Sequence, residues 1–471
     1  MRRLRLALPK GRLLRPTRVL LEKAGLGLDG YTEGSRQYRL ESQRIPGLCA
    51  KVFQERDIPV QVAIGNYDMG ICGRQWVEEL LVRYPLSGLV LVRDLGYARG
   101  RVVAAVAGSS GFKSVRDLAH DNGTLRIVSE YPNLAESLAL GLRIRRFKVF
   151  PVWGAAEAYP PENSEVAVLW RDSERNTFFP GIVPLKVVLE GGACLVANRE
   201  SWERLDMGEV LGLLCQAIGP GGEEVVSTMP EPPVQTSCTV APSKSGDECV
   251  WLALPDGHQQ AHVVRFLSRT GVAVEGYSGR ESGRCPSISL PGVRVKVVRP
   301  QDMPQQVASG NFDLAVTGQD WLTDHLCRFP SSPVEEVLDL GFGRVRLVAA
   351  VNGDMGVESV SQLKQWGRNR SALRIASEYV NLADRFGREH HLAPYRVVPT
   401  WGATEAFLPE DADLLIENTE TGRTLAEHNL KVIDTLAVST ACLIGNRHAL
   451  ASPARRKKLL AVADAFRKGL G

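Results

Sequence analysis

The residues best suited to chemistry lie late in the chain, where acidic and hydroxyl side chains surround a single glycine. Residues 413–425 read DLLIENTETGRTL. A glycine lets a ligand approach the backbone closely, and N–H groups at a helix start favour a bound anion. The segment therefore predicts a phosphate site at Thr421, Gly422, Arg423 and Thr424. The carboxylates Glu417 and Glu420 could accept bonds from ribose hydroxyls or help to hold Mg²⁺.

The elements that must position this loop are an apolar strand before it and a short helix after it. Leu414–Ile416 predicts the strand, and the residues after Gly422 predict the helix. The Thr-Gly-x-Thr turn alone would also suit an ordinary capped helix, because threonine is a good N-cap residue. The preceding strand and acidic residues favour the ribose-phosphate interpretation.

The chain is one sequence written twice. Residues 57–76 read DIPVQVAIGNYDMGICGRQW, and residues 302–321 read DMPQQVASGNFDLAVTGQDW. Matching segments elsewhere keep nearly the same offset, as in Ala7-Leu8-Pro9 and Ala253-Leu254-Pro255 (253 − 7 = 246). Such an offset indicates a duplicated domain. We predict a first copy over 1–218, a linker rich in Gly, Pro and Ser over 219–248, and a second copy over 249–471.

Within the first copy, β-rich runs alternate with helical stretches. This alternation predicts an α/β architecture with largely parallel sheets. The predicted strands are Leu4–Leu8, Val60–Val62, Met69–Cys72, Leu89–Arg93, Val102–Val106 and Arg126–Val128, and the predicted helical stretches are Leu13–Ala24, Arg116–Leu118 and Leu134–Leu142.

Composition excludes several classes of protein. A net charge of +4 over 471 residues, with no dense basic tract, argues against a nucleic-acid partner. No stretch approaches the roughly 20 apolar residues that a membrane-spanning helix needs. The nine cysteines show no CxxC spacing, which predicts reduced thiols and a cytoplasmic protein.

Several motifs together resemble the ATP phosphoribosyltransferase family. Leu-Pro-Lys-Gly-Arg-Leu stands at 8–13, Gly-x-x-Glu at 154–157 and 402–405, Asp-Leu-Gly-x-Gly at 339–343, and Glu-Thr-Gly-x-Thr-Leu at 420–425. The resemblance covers nearly the whole chain, twice. It implies an α/β fold of two tandem copies, each a bilobal domain like the type II periplasmic binding proteins.

The same resemblance implies an activity and its partners. The expected reaction transfers phosphoribosyl from phosphoribosyl pyrophosphate (PRPP) to N1 of ATP and releases pyrophosphate, the first step of L-histidine biosynthesis, with Mg²⁺ as cofactor. Each copy stops where the short form of the family stops, which implies a regulatory subunit resembling histidyl-tRNA synthetase. Arg299, Asp339 and Glu405 join the loop residues as expected substrate-binding residues.

The two copies are not equivalent. Thr421–Thr424 aligns with Ser173–Asn176 (421 − 248 = 173), so that Glu174 replaces the glycine, and Leu169 replaces Glu417. At the amino end it is the second copy that lacks the cations, because Asp256 and His258 replace Lys10 and Arg12 (256 − 10 = 246).

We therefore hypothesise an internal pseudo-dimer with one working cleft. The second copy would hold the phosphoribosyl group and the first would supply cations, for which the candidates are Lys10, Arg12, Arg36 and Arg39. A higher homo-oligomer remains open.

The alternative is a non-catalytic regulatory paralogue that binds nucleotide or phosphate. The losses at Glu174 and Asp256 favour it, whereas the complete loop at 417–425 favours the enzyme. Trp153 and Trp401, just before the Gly-x-x-Glu motifs, could stack on adenine or pack in the core.

Overall fold

A computed structural model describes residues 4–35, 37–121, 123–173, 179–218, 249–277, 283–368, 372–451 and 453–470. The chain forms two compact units. The first is Met1–Pro151 with Ser164–Lys244, and the second is Val152–Asn163 with Ser245–Gly471. The linker predicted over 219–248 lies outside the described residues, and the predicted domain boundaries stay predictions. Within the described ranges, no helix combines the length and apolarity needed to cross a membrane.

The first unit alternates strands and helices. Its strands are β1 (Leu4–Pro9), β2 (Arg39–Glu41), β3 (Leu48–Phe53), β4 (Met69–Gly73), β5 (Leu89–Asp94), β6 (Gly100–Ala107), β7 (Leu125–Ser129), β8 (Phe147–Pro151), β9 (Val166–Asp172), β10 (Ile182–Gly191) and β11 (Ala193–Asn198). Its helices are α1 (Leu14–Ala24), α2 (Ile58–Ala63), α3 (Arg74–Arg83), α4 (Val115–His120), α5 (Pro132–Gly141), α6 (Arg199–Arg204) and α7 (Gly208–Ile218).

These strands form two sheets, in the orders β2-β3-β1-β4-β11-β5 and β10-β6-β9-β7-β8. Both sheets are mixed. In the first, β1 runs parallel to β3 and β4, whereas β11 runs antiparallel to β4 and β5. In the second, β7 runs parallel to β8 and β9, whereas β6 runs antiparallel to β9 and β10. The predicted α/β class is confirmed, but the prediction of largely parallel sheets is wrong. The returning strand β10 runs antiparallel to β6, and the next strand, β11, runs antiparallel to β4 and β5.

The second unit repeats this pattern. Its strands are β12 (Val250–Pro255), β13 (Val274–Glu275), β14 (Ser287–Ile288), β15 (Val293–Val298), β16 (Leu314–Gly318), β17 (Val334–Asp339), β18 (Val345–Asn352), β19 (Leu373–Ser377), β20 (Tyr395–Pro399), β21 (Leu414–Thr419), β22 (Leu430–Ser439) and β23 (Ala441–Asn446). Its helices are α8 (His258–Thr270), α9 (Met303–Ala308), α10 (Gln319–Arg328), α11 (Val360–Gly367), α12 (Val380–Glu389), α13 (Arg423–Glu427), α14 (Arg447–Ala451) and α15 (Pro453–Lys468).

Two five-stranded sheets, each with its own core, organise the second unit. Their orders are β15-β12-β16-β23-β17 and β20-β19-β21-β18-β22, and β13 pairs with β14 separately. One apolar cluster, including Leu252, Phe266 and Phe466, packs on the first sheet. Another, including Ile375 and Phe386, packs on the second sheet. Strand β21 lies centrally in that second sheet, between β19 and β18, so the loop that follows it starts from a rigid support.

Local predictions fail where a short apolar run is ambiguous between strand and helix. The strand predicted at Val60–Val62 is wrong, since these residues lie in α2. Asp57 stands at the N-cap of that helix and Pro59 in its first turn, a favourable position for proline. In contrast, α1 ends at Gly25 as the sequence indicates, because Gly25 adopts the left-handed conformation that closes the helix.

Candidate functional site

The loop after β21 has the strand–turn–helix form that its sequence predicts. Leu414, Leu415 and Ile416 are buried in the sheet. The chain then reaches the loop, and α13 begins at Arg423. The predicted order of strand, turn and helix around the glycine is therefore confirmed.

Gly422 gives the loop its shape. Its φ of 76° lies in the left-handed region, and no atom stands within 4 Å of the place where a Cβ would be. Its backbone N–H donates to Thr419 Oγ1 at 2.9 Å, and the N–H of Arg423 lies 3.4 Å from Thr421 Oγ1. Because each hydroxyl accepts a bond here, its own proton stays available to donate to a ligand. Glu420, Thr421 and Thr424 are exposed beside the glycine.

Arg423 turns back along its own helix. Its guanidinium Nε lies 2.8 Å from Glu427 Oε1, one turn later, and the side chain is largely exposed. An exposed ion pair of this kind is worth less than about 1 kcal/mol, so a phosphate could readily compete for the arginine.

Glu417 is a carboxyl group with a strongly perturbed pKa at this edge of the sheet. Burial raises its pKa well above the ordinary value, and the negative charges of Glu378 and Glu405 raise it further. Hydrogen bonds from Thr404 and from the backbone N–H of Asn418, at 3.0 Å from Oε1, oppose the shift. The side chain keeps partial contact with solvent, so a ligand can reach it. A carboxyl group with a strongly perturbed pKa next to an open loop is typical of a functional site.

The other predicted residues of the second copy lie at separate places in its unit. Glu405 is on the short turn Thr404–Phe407, and its negative charge raises the pKa of Glu417. Asp339 ends β17, where Oδ1 accepts bonds from the Gly341 N–H and the Thr440 hydroxyl. Their expected roles in substrate binding stay predictions.

Arg299 belongs to an ion cluster around Asp256. Its Nη1 lies 3.3 Å from Asp256 Oδ1, and Arg284 Nη1 lies 2.9 Å from the other carboxylate oxygen. Arg284 also contacts Glu157 at 3.0 Å. The carboxylate that replaces Lys10 in the second copy thus binds two arginines of the same unit. These arginines are available to a substrate anion only in competition with Asp256.

Two predicted cations of the first copy, Lys10 and Arg12, have partners within the first unit. Lys10 Nζ donates to Tyr38 Oη at 2.9 Å. Arg12 forms a two-pronged ion pair with Glu55, at 2.6 and 3.0 Å, and its guanidinium carbon lies 4.8 Å from the Trp170 ring centre. Arg39 is exposed on β2, and Arg36 lies outside the described residues. Their proposed service to the second copy stays a prediction.

In the first copy, two large hydrophobic side chains stand at the positions that align with Glu417 and Asn418. Trp170 occupies the place of Asn418 (418 − 248 = 170), and the apolar, buried Leu169 occupies that of Glu417. Arg12 reaches from the end of β1 to the Trp170 ring on β9, so the two sheets of this unit are bridged where the second unit offers polar groups. Residues 174–178, which include Glu174, lie outside the described residues.

Sequence reasoning missed a chain of hydrogen bonds beneath the loop of the second copy. Tyr379 Oη donates to Asp320 Oδ2 at 2.6 Å, and Asn418 Nδ2 donates to Tyr379 Oη at 2.6 Å. The Trp321 ring stacks on Tyr379 with centroids 4.2 Å apart. Burial raises the pKa of Asp320, and the bond from Tyr379 opposes that shift. The copies do carry a signal for this network, because Gln75 and Trp170 replace Asp320 and Asn418 (320 − 75 = 245).

Trp153 and Trp401 lie together in the second unit. Their ring centroids are 6.3 Å apart, and Trp153 also lies 6.0 Å from Trp321. The Trp153 backbone N–H donates to both carboxylate oxygens of Asp302 at 3.0 Å. Both tryptophans keep partial exposure, so packing and adenine stacking both stay open for them.

The fold and the loop together define a class, an α/β protein with mixed sheets and a strand–turn–helix around a left-handed glycine. Sequence comparison narrows this class. The family profile described as ATP phosphoribosyltransferase matches residues 54–217 and 299–467, well over half of the chain. The chain belongs to the ATP phosphoribosyltransferase family, and the two matched segments agree with a tandem duplication.

Individual relatives match about one copy each. The ATP phosphoribosyltransferase of Pelotomaculum thermopropionicum is 32% identical over 213 residues, covering 44% of this chain and 68% of the relative. That of Sulfolobus acidocaldarius is 32% identical over 200 residues, covering 42% and 65%. Among solved structures, the ATP phosphoribosyl transferase (HisG:HisZ) complex from Thermotoga maritima aligns with a TM-score of 0.38 and 24% identity, over 47% of this chain and 98% of that chain.

Proposed function

We propose that this protein transfers phosphoribosyl from PRPP to N1 of ATP, with release of pyrophosphate, as the first step of L-histidine biosynthesis. The observation that carries the proposal is the loop of the second copy, where an unobstructed left-handed Gly422 stands between hydroxyl side chains and follows Glu417 on a central strand. Membership of the family supports the same reaction.

The reaction depends mainly on charged and polar groups placed to stabilise the charges that develop in the transition state. A bond forms between adenine N1 and the anomeric carbon while the bond from that carbon to pyrophosphate breaks. Positive charge develops on the ribose and negative charge on the leaving group. Adenine N1 already has a lone pair, so no general base is required. The hydroxyls of Thr421 and Thr424 would hold the 5′-phosphate, and Glu417 would accept bonds from the ribose hydroxyls, most strongly as its carboxylate.

A magnesium ion fits this site best as part of the substrate. Over the described ranges, no group of three or more His, Cys, Asp or Glu side chains could hold a metal ion. Mg²⁺ is usually bound by one or two carboxylates together with substrate phosphates. We expect the ion to be held mainly by the pyrophosphate of PRPP, with the exposed Glu420 as a candidate ligand from the chain.

The finer architecture and the partners belong to the same proposal. We infer that each copy is a bilobal domain like the type II periplasmic binding proteins, since each contains two mixed sheets and the chain passes from one to the other between the consecutive strands β10 and β11, or β22 and β23. A regulatory subunit resembling histidyl-tRNA synthetase is the expected partner, and the cytoplasm is the expected compartment.

A direct assay tests the activity. The purified chain is incubated with ATP, PRPP and Mg²⁺, and phosphoribosyl-ATP and pyrophosphate are measured together, without and with a candidate regulatory subunit. Equal formation of both products supports the proposal, and T421V should reduce it strongly. A chain that binds PRPP but forms neither product under both conditions would instead support a regulatory paralogue.

A further inference from the structure

The hydrogen-bonded chain Asp320–Tyr379–Asn418 connects the two sheets of the second unit underneath the loop. Asp320 lies on α10, which follows the first sheet's strand β16. Tyr379 precedes α12, and Asn418 lies on β21, both in the second sheet's half of the unit. We propose that Tyr379 and Asp320 are positioning residues that hold Asn418, and through it Glu417, in the arrangement that binds the ribose of PRPP. The inference rests on the function proposed above.

The direction of the hydrogen bonds fixes the side chain of Asn418. The Tyr379 hydroxyl donates its single proton to Asp320 Oδ2. The hydroxyl oxygen can then only accept, and the Asn418 amide must turn its NH₂ group toward it. Both contacts are 2.6 Å and the Tyr379 side chain is fully buried, so water cannot replace either partner.

Further contacts hold the chain at its far end. Asp320 Oδ1 accepts from the Trp321 N–H at 3.0 Å, and the Asp320 N–H donates to Ser439 Oγ at 3.0 Å. The Trp321 ring, stacked on Tyr379, prevents the phenol from swinging away. The whole network therefore has one arrangement that satisfies its buried polar groups, a condition in which buried polar networks specify geometry.

The network affects the position of Glu417 through Asn418. Its backbone N–H donates to Glu417 Oε1 at 3.0 Å, and it stands two residues before Glu420. Fixing the Asn418 side chain therefore fixes the strand end from which Glu417 and the loop project. Loss of the network would weaken the N–H bond that favours the ionised form of Glu417.

The first copy shows the same framework without the network. Tyr131 matches Tyr379 (379 − 248 = 131). Its ring packs on that of Trp76 with centroids 4.5 Å apart, as the Tyr379 ring packs on that of Trp321. Gln75, in the place of Asp320, donates instead to Glu55 at 2.8 Å. The tyrosine thus persists in both copies as a packing residue, whereas its two polar partners accompany only the copy with Glu417 and Gly422.

The duplication supplies a matched control for the test. Y379F removes both hydrogen bonds and keeps the stacked ring, and Y131F makes the same change in the first copy. We expect Y379F to weaken PRPP binding in titration calorimetry by about tenfold to a hundredfold, the effect of losing two hydrogen bonds of which one reaches a carboxylate. Y131F should leave the dissociation constant within about twofold of the wild type.

Two further readouts separate positioning from folding. D320N keeps an amide oxygen that can accept from Tyr379, so it should bind PRPP within about threefold of the wild type, whereas D320L should behave like Y379F. The pH at which PRPP affinity is half-maximal should move upward in Y379F and stay unchanged in Y131F, because only the former disturbs Glu417. Thermal melting identifies any variant that is merely unfolded.

The outcomes are distinguishable. A wild-type chain that does not bind PRPP would overturn the proposed function and this inference together. A wild type that binds PRPP, with Y379F and D320L binding equally well, would overturn the inference alone. Equal losses in Y379F and Y131F would show that the tyrosines act only through general stability, which also overturns it.

Discussion

The left-handed conformation of Gly422 predicts that G422A lowers the affinity for PRPP and leaves the free energy of unfolding almost unchanged. In G422A the new methyl group meets no atom within 4 Å, so its whole cost is the backbone conformation, about 1–2 kcal/mol for a residue with a Cβ. The loop is exposed, and the N–H groups of Gly422 and Arg423 bond to the nearby Thr419 and Thr421. We therefore expect the free loop to relax to a negative φ, so that the ligand must restore the strained form.

The expected result is an affinity loss with little loss of stability. A cost of about 1–2 kcal/mol corresponds to a PRPP dissociation constant roughly 5–30 times higher, measured by titration calorimetry. G422E, which reproduces Glu174 of the first copy, should bind still more weakly, because it brings a carboxylate to the phosphate.

A second glycine of the same unit provides the control. Gly271 ends α8 with φ of 72° and also has no atom within 4 Å of its absent Cβ. G271A should lower the free energy of unfolding by about 1 kcal/mol and leave PRPP affinity unchanged. If G422A binds PRPP as tightly as the wild type while G271A shows its stability loss, the left-handed loop conformation is not the binding conformation and the reasoning is refuted.

Three further predictions concern charged groups. Because the pKa of Glu417 is raised in the folded chain, the folded state keeps this proton to higher pH than the unfolded state; the free energy of unfolding should therefore fall as pH rises from about 4.3 toward the raised pKa. Urea unfolding at a series of pH values should show this decline in the wild type and not in E417Q, and parallel profiles would contradict it. R12M removes the ion-pair partner of the largely buried Glu55 and should lower the free energy of unfolding by about 2 kcal/mol. Adding E55Q to R12M should restore part of this loss. If the effects of the two substitutions simply add in the double-mutant cycle, the ion pair does not contribute. K296M removes a 1% exposed ammonium that donates to Glu162 and to the Tyr159 carbonyl, and should cost about 2 kcal/mol in urea unfolding, so an unchanged midpoint would argue against those contacts.

The parts of the fold that follow from local pattern could be predicted from the sequence. Leu4–Leu8 and Met69–Cys72 are strands because buried apolar runs are bounded by turn residues, and α1 ends at Gly25. The strand prediction at Val60–Val62 was wrong because three residues are too few to distinguish the helical period of about 3.6 residues from the strand period of two. The prediction of largely parallel sheets failed because strand direction depends on distant partners, such as Cys72 on β4 opposite Cys194 on β11, that no local window contains.

The candidate site divides in the same way. Glycine, threonine and carboxylate spacing between 417 and 424 indicates the phosphate loop, since those residues are adjacent in the chain. The Arg12–Trp170 contact and the Tyr379 bonds join residues far apart in sequence, so only the folded chain brings them together. Comparison of the aligned positions in the two copies would have identified Asp320 and Asn418 as differing, but not that they share one tyrosine.

The claim that one copy keeps the phosphoribosyl site and the other has lost it is tested most directly by counting PRPP molecules bound per chain. Titration calorimetry of the full-length protein with PRPP and Mg²⁺ gives that number together with the affinity. The predicted result is one site per chain, abolished by G422E. Two sites per chain, or one site that survives G422E, would contradict the account.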